Sequence, residues 1–289
     1  MKQRKYPVLT RLETDMKLRG MAINTQISYL RYVEQFLNFC KKPIEEIGEI
    51  EARDYLIFLM RENKVAEGTI NLNNSAIRFF FAVTLNITVN YLQLPRFKKK
   101  KTLPTILSRE EIKLILWLCQ NKKHQAFFFL AYGSGLRTSE IANLRVKDID
   151  SKAMRVFVNA GKGGKDRYTI LSADCLCILR EYWTVYRPKS SAGWLFPGFN
   201  KNKTSHISSD AVSQAFKKWA GCCLPMGKPV SSHHLRHAFA THLLEDGASI
   251  FQIKELLGHA SITSTTIYLH LADNSKGLAS PADLVFYDA

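Results

Sequence analysis

The chain of 289 residues lacks the long hydrophobic runs and the leader that membrane and secreted proteins carry. It contains no apolar stretch of eighteen residues, the length that a helix needs to span a bilayer. The first residues, Met1 to Pro7, are basic but lack the apolar segment of a secretory signal. We therefore expect a protein of the cytosol that has no attachment to a membrane.

The sequence also lacks a recognisable metal site. Its six cysteines do not form the paired C-x-x-C spacings of zinc knuckles. No cluster of carboxylates is of the kind that holds Mg²⁺. We therefore expect no metal, and reduced cysteines, as is usual in the cytosol.

Acidic side chains are scarce relative to basic ones. There are 25 Asp and Glu against 41 Lys and Arg, for a formal net charge of +16. The excess is shared equally, because residues 1–108 and residues 109–289 each carry a net charge of +8. Two basic halves are typical of a protein that clamps nucleic acid. The charge alone fits equally well a basic protein that its charge keeps soluble. The motifs must therefore decide between this alternative and nucleic-acid binding.

Residues 1–95 are predicted to form a small helical bundle. We expect one helix capped by Asn24, one over residues 51–63 and one capped by Thr69. Apolar side chains recur there at intervals of three and four residues, which places them on one face of each helix: Leu30, Val33, Phe36, Leu37, Tyr55, Leu56, Leu59, Met60, Ile70, Ile77, Phe80 and Phe81. We interpret the aromatic members as core and not as a base-stacking surface.

Residues 96–107 follow as a basic linker. Pro95 and Pro104 bracket four consecutive lysines, which predicts an extended segment. Such a run is usually just solvated. Between two basic domains we favour a strap that crosses a phosphate backbone, formed by Lys98, Lys99, Lys100 and Lys101.

Residues 108–271 are predicted to form a domain in which helices flank a small sheet. Ser108 and Glu111 have the spacing of a capping box at the first helix. Residues 154–158 and 167–171 are expected to be strands joined by a hairpin over residues 161–166. Helices return from Ala173 to the end. The fold class is therefore mainly α with a small antiparallel β-sheet.

Five side chains of this second domain can together hold and attack a phosphodiester: Arg137, His233, Arg236, His259 and Tyr268. Arginine forks bind phosphate oxygens in pairs. Histidine can move a proton at neutral pH, and tyrosine can act as a covalent nucleophile. Gly258 before His259 fits a helix end, with Ser249 capping the start of that helix. The positive net charge makes DNA the expected source of the phosphate.

These motifs, in this order, resemble the tyrosine recombinase (phage integrase-like) family. The nearest subgroups are the Xer-type recombinases and the integrases of mobile elements. Residues 135–140 are similar to the first arginine box of that family, and residues 235–244 with residues 256–259 to its second box. Residues 161–167 resemble the lysine hairpin. The resemblance implies a helical core-binding (SAM-like) domain over residues 1–95 and an α+β catalytic domain over residues 108–271.

The resemblance also implies a role for each residue. Tyr268 would attack the scissile phosphate, form a 3′-phosphotyrosyl link and free a 5′-hydroxyl. Arg137 and Arg236 would hold the non-bridging oxygens, His259 would donate to the phosphate, and His233 would assist proton transfer at Tyr268. Because the covalent link conserves the bond energy, no cofactor is expected.

A lysine of the hairpin would protonate the leaving 5′-oxygen. The matching position of the family motif is Lys162, and Lys165 in the same hairpin remains the competing candidate for the acid. We otherwise expect Lys165 to contact DNA. His234, His237 and His242 have no motif role and are expected to be structural or close to DNA, and Glu140 is expected to be structural, beside Arg137.

The segment 272–289 is expected to be a tail for subunit exchange. It begins polar and ends with the apolar run Leu284 to Tyr287. In the family that this chain resembles, the C-terminal segment docks onto a neighbouring subunit. The implied partners are double-stranded DNA with paired inverted sites and three further copies of the chain, which would form a tetramer in the synapse.

Three functions remain open at this point. The first is a site-specific recombinase that acts through a Holliday junction, for integration or excision of a mobile element or for dimer resolution. The second is a catalytically idle DNA-binding protein on the same fold. The third is a type IB topoisomerase or telomere resolvase with similar chemistry. The retained arginines, histidines and tyrosine favour the first.

Overall fold

The chain divides into two compact units, Met1–Lys101 and Thr102–Ala289. The computed structural model describes residues 6–62, 65–88, 90, 94, 96–97, 105–159, 166–198, 205–225 and 228–271, with only the main chain of His270. The division falls inside the interval predicted as a linker. The mainly helical fold with a small antiparallel sheet confirms the predicted fold class.

The first unit is a helical bundle with an aromatic core. Its described residues form four α-helices, α1 (Val8–Leu18), α2 (Ile23–Cys40), α3 (Glu49–Arg61) and α4 (Glu67–Phe79), and α4 continues into a π-helical turn, Phe80–Leu85. Phe36 packs edge-on against Phe81, with 5.9 Å between the ring centroids. The prediction that these aromatic residues form the core is confirmed, since Phe36, Phe80 and Phe81 are fully buried.

Three local predictions in this unit are wrong. Helix α2 already begins at Ile23, so Asn24 lies inside it and Ala22 occupies the capping position. Helix α4 begins at Glu67, and the backbone N–H of Thr69 donates to the carbonyl of Ala66 within the first turn. Neither helix start has a side-chain cap.

Met60 was expected to point inward, but its side chain is 43% exposed. It follows buried Leu59 directly, and consecutive helical residues are turned by about 100° from one another. The apolar face of α3 is therefore narrower than the sequence pattern indicated.

The second unit contains seven helices among its described residues: α5 (Arg109–Leu118), α6 (Lys122–Gly133), α7 (Thr138–Ala142), α8 (Ala173–Tyr186), α9 (Ser209–Cys223), α10 (Ser232–Glu245) and α11 (Ile250–Leu257). The predicted capping box is confirmed, because Ser108 Oγ accepts from the N–H of Glu111 and the Glu111 carboxylate accepts from the N–H of Ser108. Helix α6 is apolar around most of its circumference and lies in the core of this unit.

A three-stranded antiparallel sheet lies in the second unit. Its strands are β1 (Ile149–Asp150), β2 (Arg155–Val158) and β3 (Arg167–Ile170), in the order β1-β2-β3. The two predicted strands are confirmed, and β1 was missed because two residues are too few to show an alternating pattern. Val158 pairs with Arg167, so the sheet places Arg167 at the first position of β3. The hairpin residues 160–165 lie outside the described part of the chain.

Helix α10 is the element on which the site is built. It packs against α6, α9 and α11, and against a 3₁₀ turn over Thr266–His270. Leu235, Ala238 and Phe239 are buried in these contacts. Among the described residues, no helix combines the length and the apolar character that crossing a bilayer would need.

Candidate active site

Helix α10 presents three titratable side chains on one face. His233, Arg236 and His237 are spaced three and four residues apart, and such positions are neighbours on a helix surface. Arg236 is buried, His237 is half-buried and His233 is exposed. These three side chains therefore form a row that extends from solvent at His233 into the interior of the unit. A substrate would have access from the His233 side.

Tyr268 lies at the inner end of this row. The 3₁₀ turn Thr266–His270 holds it in a cluster with Phe239, Ile253 and Leu257, and only 2% of Tyr268 is exposed. Its hydroxyl is hydrogen-bonded to Nδ1 of His237 at 3.1 Å. Burial raises the pKa of Tyr268, while the positive charges of two nearby arginines act to lower it.

Arg236 is held by the main chain. Nη1 donates to the carbonyl of Gly135 and Nη2 to the carbonyl of Leu257, each at 2.6 Å. Burial, together with the positive charge of Arg137, lowers the pKa of Arg236 to about 9. This value is still above neutral pH, so the guanidinium keeps its charge. A buried, charged and fixed guanidinium is suited to bind an anion.

Gly135 is required at the position that receives Arg236. Its φ of +63° lies in the left-handed region that favours glycine. A Cβ atom there would lie 2.5 Å from the ring of Phe239 on α10. The close approach of this loop to α10 therefore depends on glycine, and it brings the carbonyl of Gly135 within reach of Arg236.

Arg137 follows two residues later, at the start of α7. Its backbone N–H donates to Oε2 of Glu140 at 2.9 Å, and its Nη1 donates to Oε1 at 2.6 Å. The Arg137 side chain is 18% exposed, compared with 5% for that of Arg236. Arg137 is thus the more accessible of the two arginines. Glu140 fixes it at one end, as expected for a structural carboxylate beside it.

Glu140 is the centre of a larger ion network. Both terminal nitrogens of Arg167 donate to its carboxylate, at 3.0 and 2.8 Å, and Arg236 Nη1 lies 3.5 Å from Oε2. Burial raises the pKa of Glu140, but the hydrogen bond and charge of Arg167, with the contributions of Arg137 and Arg236, lower it to about 2. The carboxylate is therefore ionised at neutral pH and offsets part of the positive charge of the surrounding arginines.

His259 is positioned by the end of α11. Gly258 is left-handed, with a φ of +64°, and the N–H of His259 donates to the carbonyl of Lys254, so the predicted glycine end of this helix is confirmed. Ser249 accepts from the N–H of Gln252, which confirms the predicted cap. A Cβ at Gly258 would lie 2.7 Å from Cδ of Arg167, which packs over this turn.

The His259 ring has a defined partner at Nδ1. Nδ1 lies 2.8 Å from Oγ1 of buried Thr265. Burial, and to a smaller extent the positive charges of the neighbouring arginines, lower the pKa of His259 to about 4. The ring is therefore neutral at pH 7. In the tautomer in which Thr265 donates to Nδ1, the proton resides on Nε2, and Nε2–H can donate to an anion.

The structure brings five of the predicted catalytic residues into one cluster. His233, His259 and Tyr268 each lie within electrostatic range of both Arg137 and Arg236. Partial desolvation, and then the positive charges of Arg236 and Arg137, lower the pKa of His233. The other predicted site residues lie outside the described part of the chain: Lys98, Lys99, Lys100, Lys101, Lys162 and Lys165.

Sequence reasoning missed three residues of the site. His237 follows His233 by four residues, a spacing that could have placed it one helical turn further along the same face. Thr265 precedes Tyr268 by three residues, but nothing in the sequence links it to His259. Arg167 has no local signal, because its partner Glu140 lies 27 residues away.

The described residues give no indication of a metal centre. Within them, no group of three or more His, Cys, Asp and Glu side chains is arranged to hold a metal ion. Two fixed guanidinium groups and a neutral imidazole N–H around a tyrosine hydroxyl instead form a site that suits phosphoryl transfer to tyrosine.

Comparison with known proteins places this chain in a family. The phage integrase family matches residues 105–275, and the phage integrase N-terminal SAM-like domain matches residues 8–90. A protein of Sinorhizobium fredii named as integrase/recombinase y4qK is 43% identical over 96% of this chain and 89% of its own length. The tyrosine recombinase XerA of Pyrococcus horikoshii is 33% identical over 90% of this chain and 88% of its own.

Solved structures have the same fold. A crystal structure of XerA recombinase is 29% identical, with a TM-score of 0.53 over 92% of this chain and 94% of that one. A lambda integrase tetramer bound to a Holliday junction is 21% identical, with a TM-score of 0.72 over 95% of this chain and 78% of that one. The chain belongs to the phage integrase family. It is a tyrosine-type site-specific recombinase, an enzyme that breaks and rejoins DNA strands.

Proposed function

We propose that Tyr268 is the nucleophile of this recombinase. Its hydroxyl would attack the scissile phosphate, form a 3′-phosphotyrosyl link and release a 5′-hydroxyl, and the reverse reaction would join a new strand. The observation that carries this proposal is the position of the Tyr268 hydroxyl beside two fixed arginines and a histidine hydrogen-bonded to it. A tyrosine that only packs in the core does not require charged groups beside its hydroxyl.

The neighbouring side chains would divide the remaining work. Arg137 and Arg236 would bind the non-bridging oxygens and stabilise the charge that grows in the transition state. Nε2–H of His259 would donate to the same phosphate. Exposed His233, at the entrance, would meet the phosphate first and assist proton movement. Lys162 would protonate the leaving 5′-oxygen, as in the family motif.

The reaction conserves the energy of the phosphodiester in the tyrosyl link. It therefore needs neither a nucleoside triphosphate nor a resident cofactor. The enzyme would act in the cytoplasm. Its biological task would be integration or excision of a mobile element, or dimer resolution.

DNA contacts outside the cluster would come from lysines. Lys98, Lys99, Lys100, Lys101 and Lys165 would neutralise backbone phosphates, which contributes affinity without sequence information. Affinity should therefore fall steeply with salt. Replacing the four consecutive lysines with glutamine should flatten the plot of log affinity against log salt.

The active assembly would be a tetramer on two inverted sites. Four subunits would exchange strands in pairs through a Holliday junction, and the segment 272–289 would pass from each subunit to the next. Its apolar end, Leu284 to Tyr287, would provide the contact. A head-to-tail contact of this kind must close as a ring to avoid an open polymer.

Substitution of the nucleophile tests the central proposal. Tyr268→Phe removes one oxygen and should bind DNA normally while forming no SDS-resistant adduct on a nicked suicide substrate. Tyr182→Phe is a matched control, because Tyr182 is another fully buried tyrosine of the same unit, distant in sequence from the cluster. Adduct formation by Tyr268→Phe would contradict the proposal and make Tyr287 the next candidate. Relaxation of a supercoiled plasmid without a recombination site would indicate a topoisomerase instead.

A further inference from the structure

The Tyr268 hydroxyl contacts a histidine for which the sequence offered no role. His237 Nδ1 lies 3.1 Å from the hydroxyl oxygen, and the two ring centroids are 5.7 Å apart. The contact joins residues 31 positions apart in the sequence. His237 sits on α10 one residue after Arg236, whose guanidinium is fixed to two main-chain carbonyls. The hydrogen bond thus joins α10 to the 3₁₀ turn Thr266–His270, which packs against it.

We propose that His237 is a catalytic residue of the cleavage step, the group that accepts the proton of the Tyr268 hydroxyl as this oxygen attacks phosphorus. The inference rests on the proposed function of Tyr268. It assigns the direct proton transfer from Tyr268 to His237, and leaves to His233 the phosphate contact and an assisting role at the entrance.

The atoms of the step balance. The Tyr268 oxygen forms a bond to phosphorus as the bond from phosphorus to the 5′-oxygen breaks. The hydroxyl proton passes to Nδ1 of His237, and the leaving 5′-oxygen takes a proton from the hairpin lysine. On rejoining, the 5′-hydroxyl attacks, the tyrosine oxygen leaves, and the imidazolium of His237 returns the proton to it.

Geometry separates His237 from the other histidines of the helix. A proton acceptor must lie within hydrogen-bonding distance of the proton that it takes, and His237 meets this requirement in the free protein. His233 is one turn earlier and exposed. His234 is used at the start of the helix, where its Nδ1 accepts from the N–H of Ser231 at 2.9 Å. His259 Nδ1 is bonded to Thr265.

The surrounding charges keep His237 neutral and therefore able to accept. Burial is the main cause that lowers the pKa of His237 to about 4. The positive charges of His234, His233 and Arg236 on the same helix lower it as well. From the facing elements, the Tyr268 hydroxyl and the His259 ring approach it. In the free protein burial raises the pKa of Tyr268 more than Arg236 and Arg137 lower it, so the proton stays on the tyrosine. A bound phosphodiester would add negative charge, which would raise the proton affinity of His237 from this lowered value.

The discriminating experiment compares glutamine substitutions at three histidines of one helix. His237→Gln, His233→Gln and His234→Gln are assayed on a nicked suicide substrate that carries a 5′-bridging phosphorothiolate. Sulfur leaves without a proton, so this substrate isolates activation of the nucleophile from the action of the lysine. We expect His237→Gln to cleave about 10²–10⁴-fold more slowly, the range typical of a lost general base. His234→Gln should stay near the wild-type rate.

Two further measurements separate proton acceptance from positioning. Exogenous imidazole should restore a measurable part of the cleavage rate in His237→Ala, because it can take the proton in the vacated space. The pH–rate profile of the wild type should fall on the acid side as His237 becomes protonated, and this limb should be absent in His237→Gln. Thermal unfolding and DNA affinity of each variant report whether a rate loss reflects misfolding.

The outcomes decide between the two histidines. Wild-type cleavage by His237→Gln, or a folded His237→Ala that imidazole does not accelerate, would overturn the proposal. A rate loss that appears with His233→Gln and not with His237→Gln would return the proton transfer to His233. Failure of the nucleophile assignment is seen separately, since Tyr268→Phe would then still form the covalent adduct.

Discussion

Both terminal nitrogens of Arg167 donate hydrogen bonds to the carboxylate of Glu140, at 3.0 and 2.8 Å. Its Nε donates to the carbonyl of Leu256 at 2.8 Å, and its aliphatic stem covers Gly258. One side chain at the first position of β3 thus joins the helix that follows Arg137 to the turn that presents His259. We therefore expect Arg167 to hold the predicted catalytic residues in place.

Loss of Arg167 should destabilise the second unit. Arg167→Met keeps the stem but leaves a buried carboxylate without its bidentate partner, and breaking such a pair typically costs about 3–5 kcal/mol. The measurement is the free energy of unfolding in urea. Arg155→Met is the matched control, because Arg155 pairs with Asp150 on the exposed side of the same sheet and should have little effect. Equal losses in the two variants would contradict the assigned importance of Arg167.

Glu140 should contribute to the loss of stability in acid. Its pKa is about 2 in the folded protein, against an ordinary value of 4.5. A lowered carboxyl pKa gives stabilisation that is complete above the ordinary value and is lost as the pH falls towards 2, because the unfolded chain binds the proton first. The free energy of unfolding of Glu140→Gln should therefore fall less between pH 4.5 and pH 2 than that of the wild type. Parallel curves would show that folding does not lower the pKa of this carboxyl group.

Substitution of either arginine should affect cleavage more than binding. Arg137→Ala and Arg236→Ala should each lower the cleavage rate by about 10²–10³-fold, since each removes a donor for charge that grows in the transition state. Arg236→Lys should not restore activity, because an ammonium cannot bond both the Gly135 and the Leu257 carbonyls in the same planar arrangement. Cleavage rates and affinities on one DNA site are compared. Equal losses in rate and affinity would assign the arginines to ground-state binding alone.

The leaving-group acid can be identified chemically. Lys162→Ala should cleave ordinary DNA poorly but should be rescued by a 5′-bridging phosphorothiolate, which needs no proton to leave. Lys165→Ala serves as the partner variant from the same hairpin and should cleave ordinary DNA far better. If rescue were seen for Lys165→Ala instead, the acid would be Lys165.

Removal of residues 272–289 should impair assembly rather than single-site binding. The polar start and apolar end of this segment motivate the expectation that it docks on another subunit. A gel shift with paired sites should show weaker cooperative binding, and recombination should fall while cleavage of a single site is largely kept. Full recombination by the truncated protein would leave the segment without a role in subunit exchange.

Much of the fold could be predicted because it depends on neighbours in the sequence. The caps at Ser108 and Ser249 and the helix end at Gly258 each involve groups within a few residues, so their patterns are readable. The same reasoning from local sequence wrongly predicted helix caps at Asn24 and Thr69. There the helices start earlier than the nearest capping residue.

The sequence by itself determined the family, the mainly helical class and the five residues that form the cluster, because each lies in a short motif with a recognisable spacing. Only the tertiary structure decided which side chains complete the site. Arg236 meets the Gly135 carbonyl across 101 residues, and His237 meets Tyr268 across 31. Such contacts are set by how α10 packs against its neighbours and by the tendency of buried polar groups to be paired. No local pattern in the chain encodes that packing.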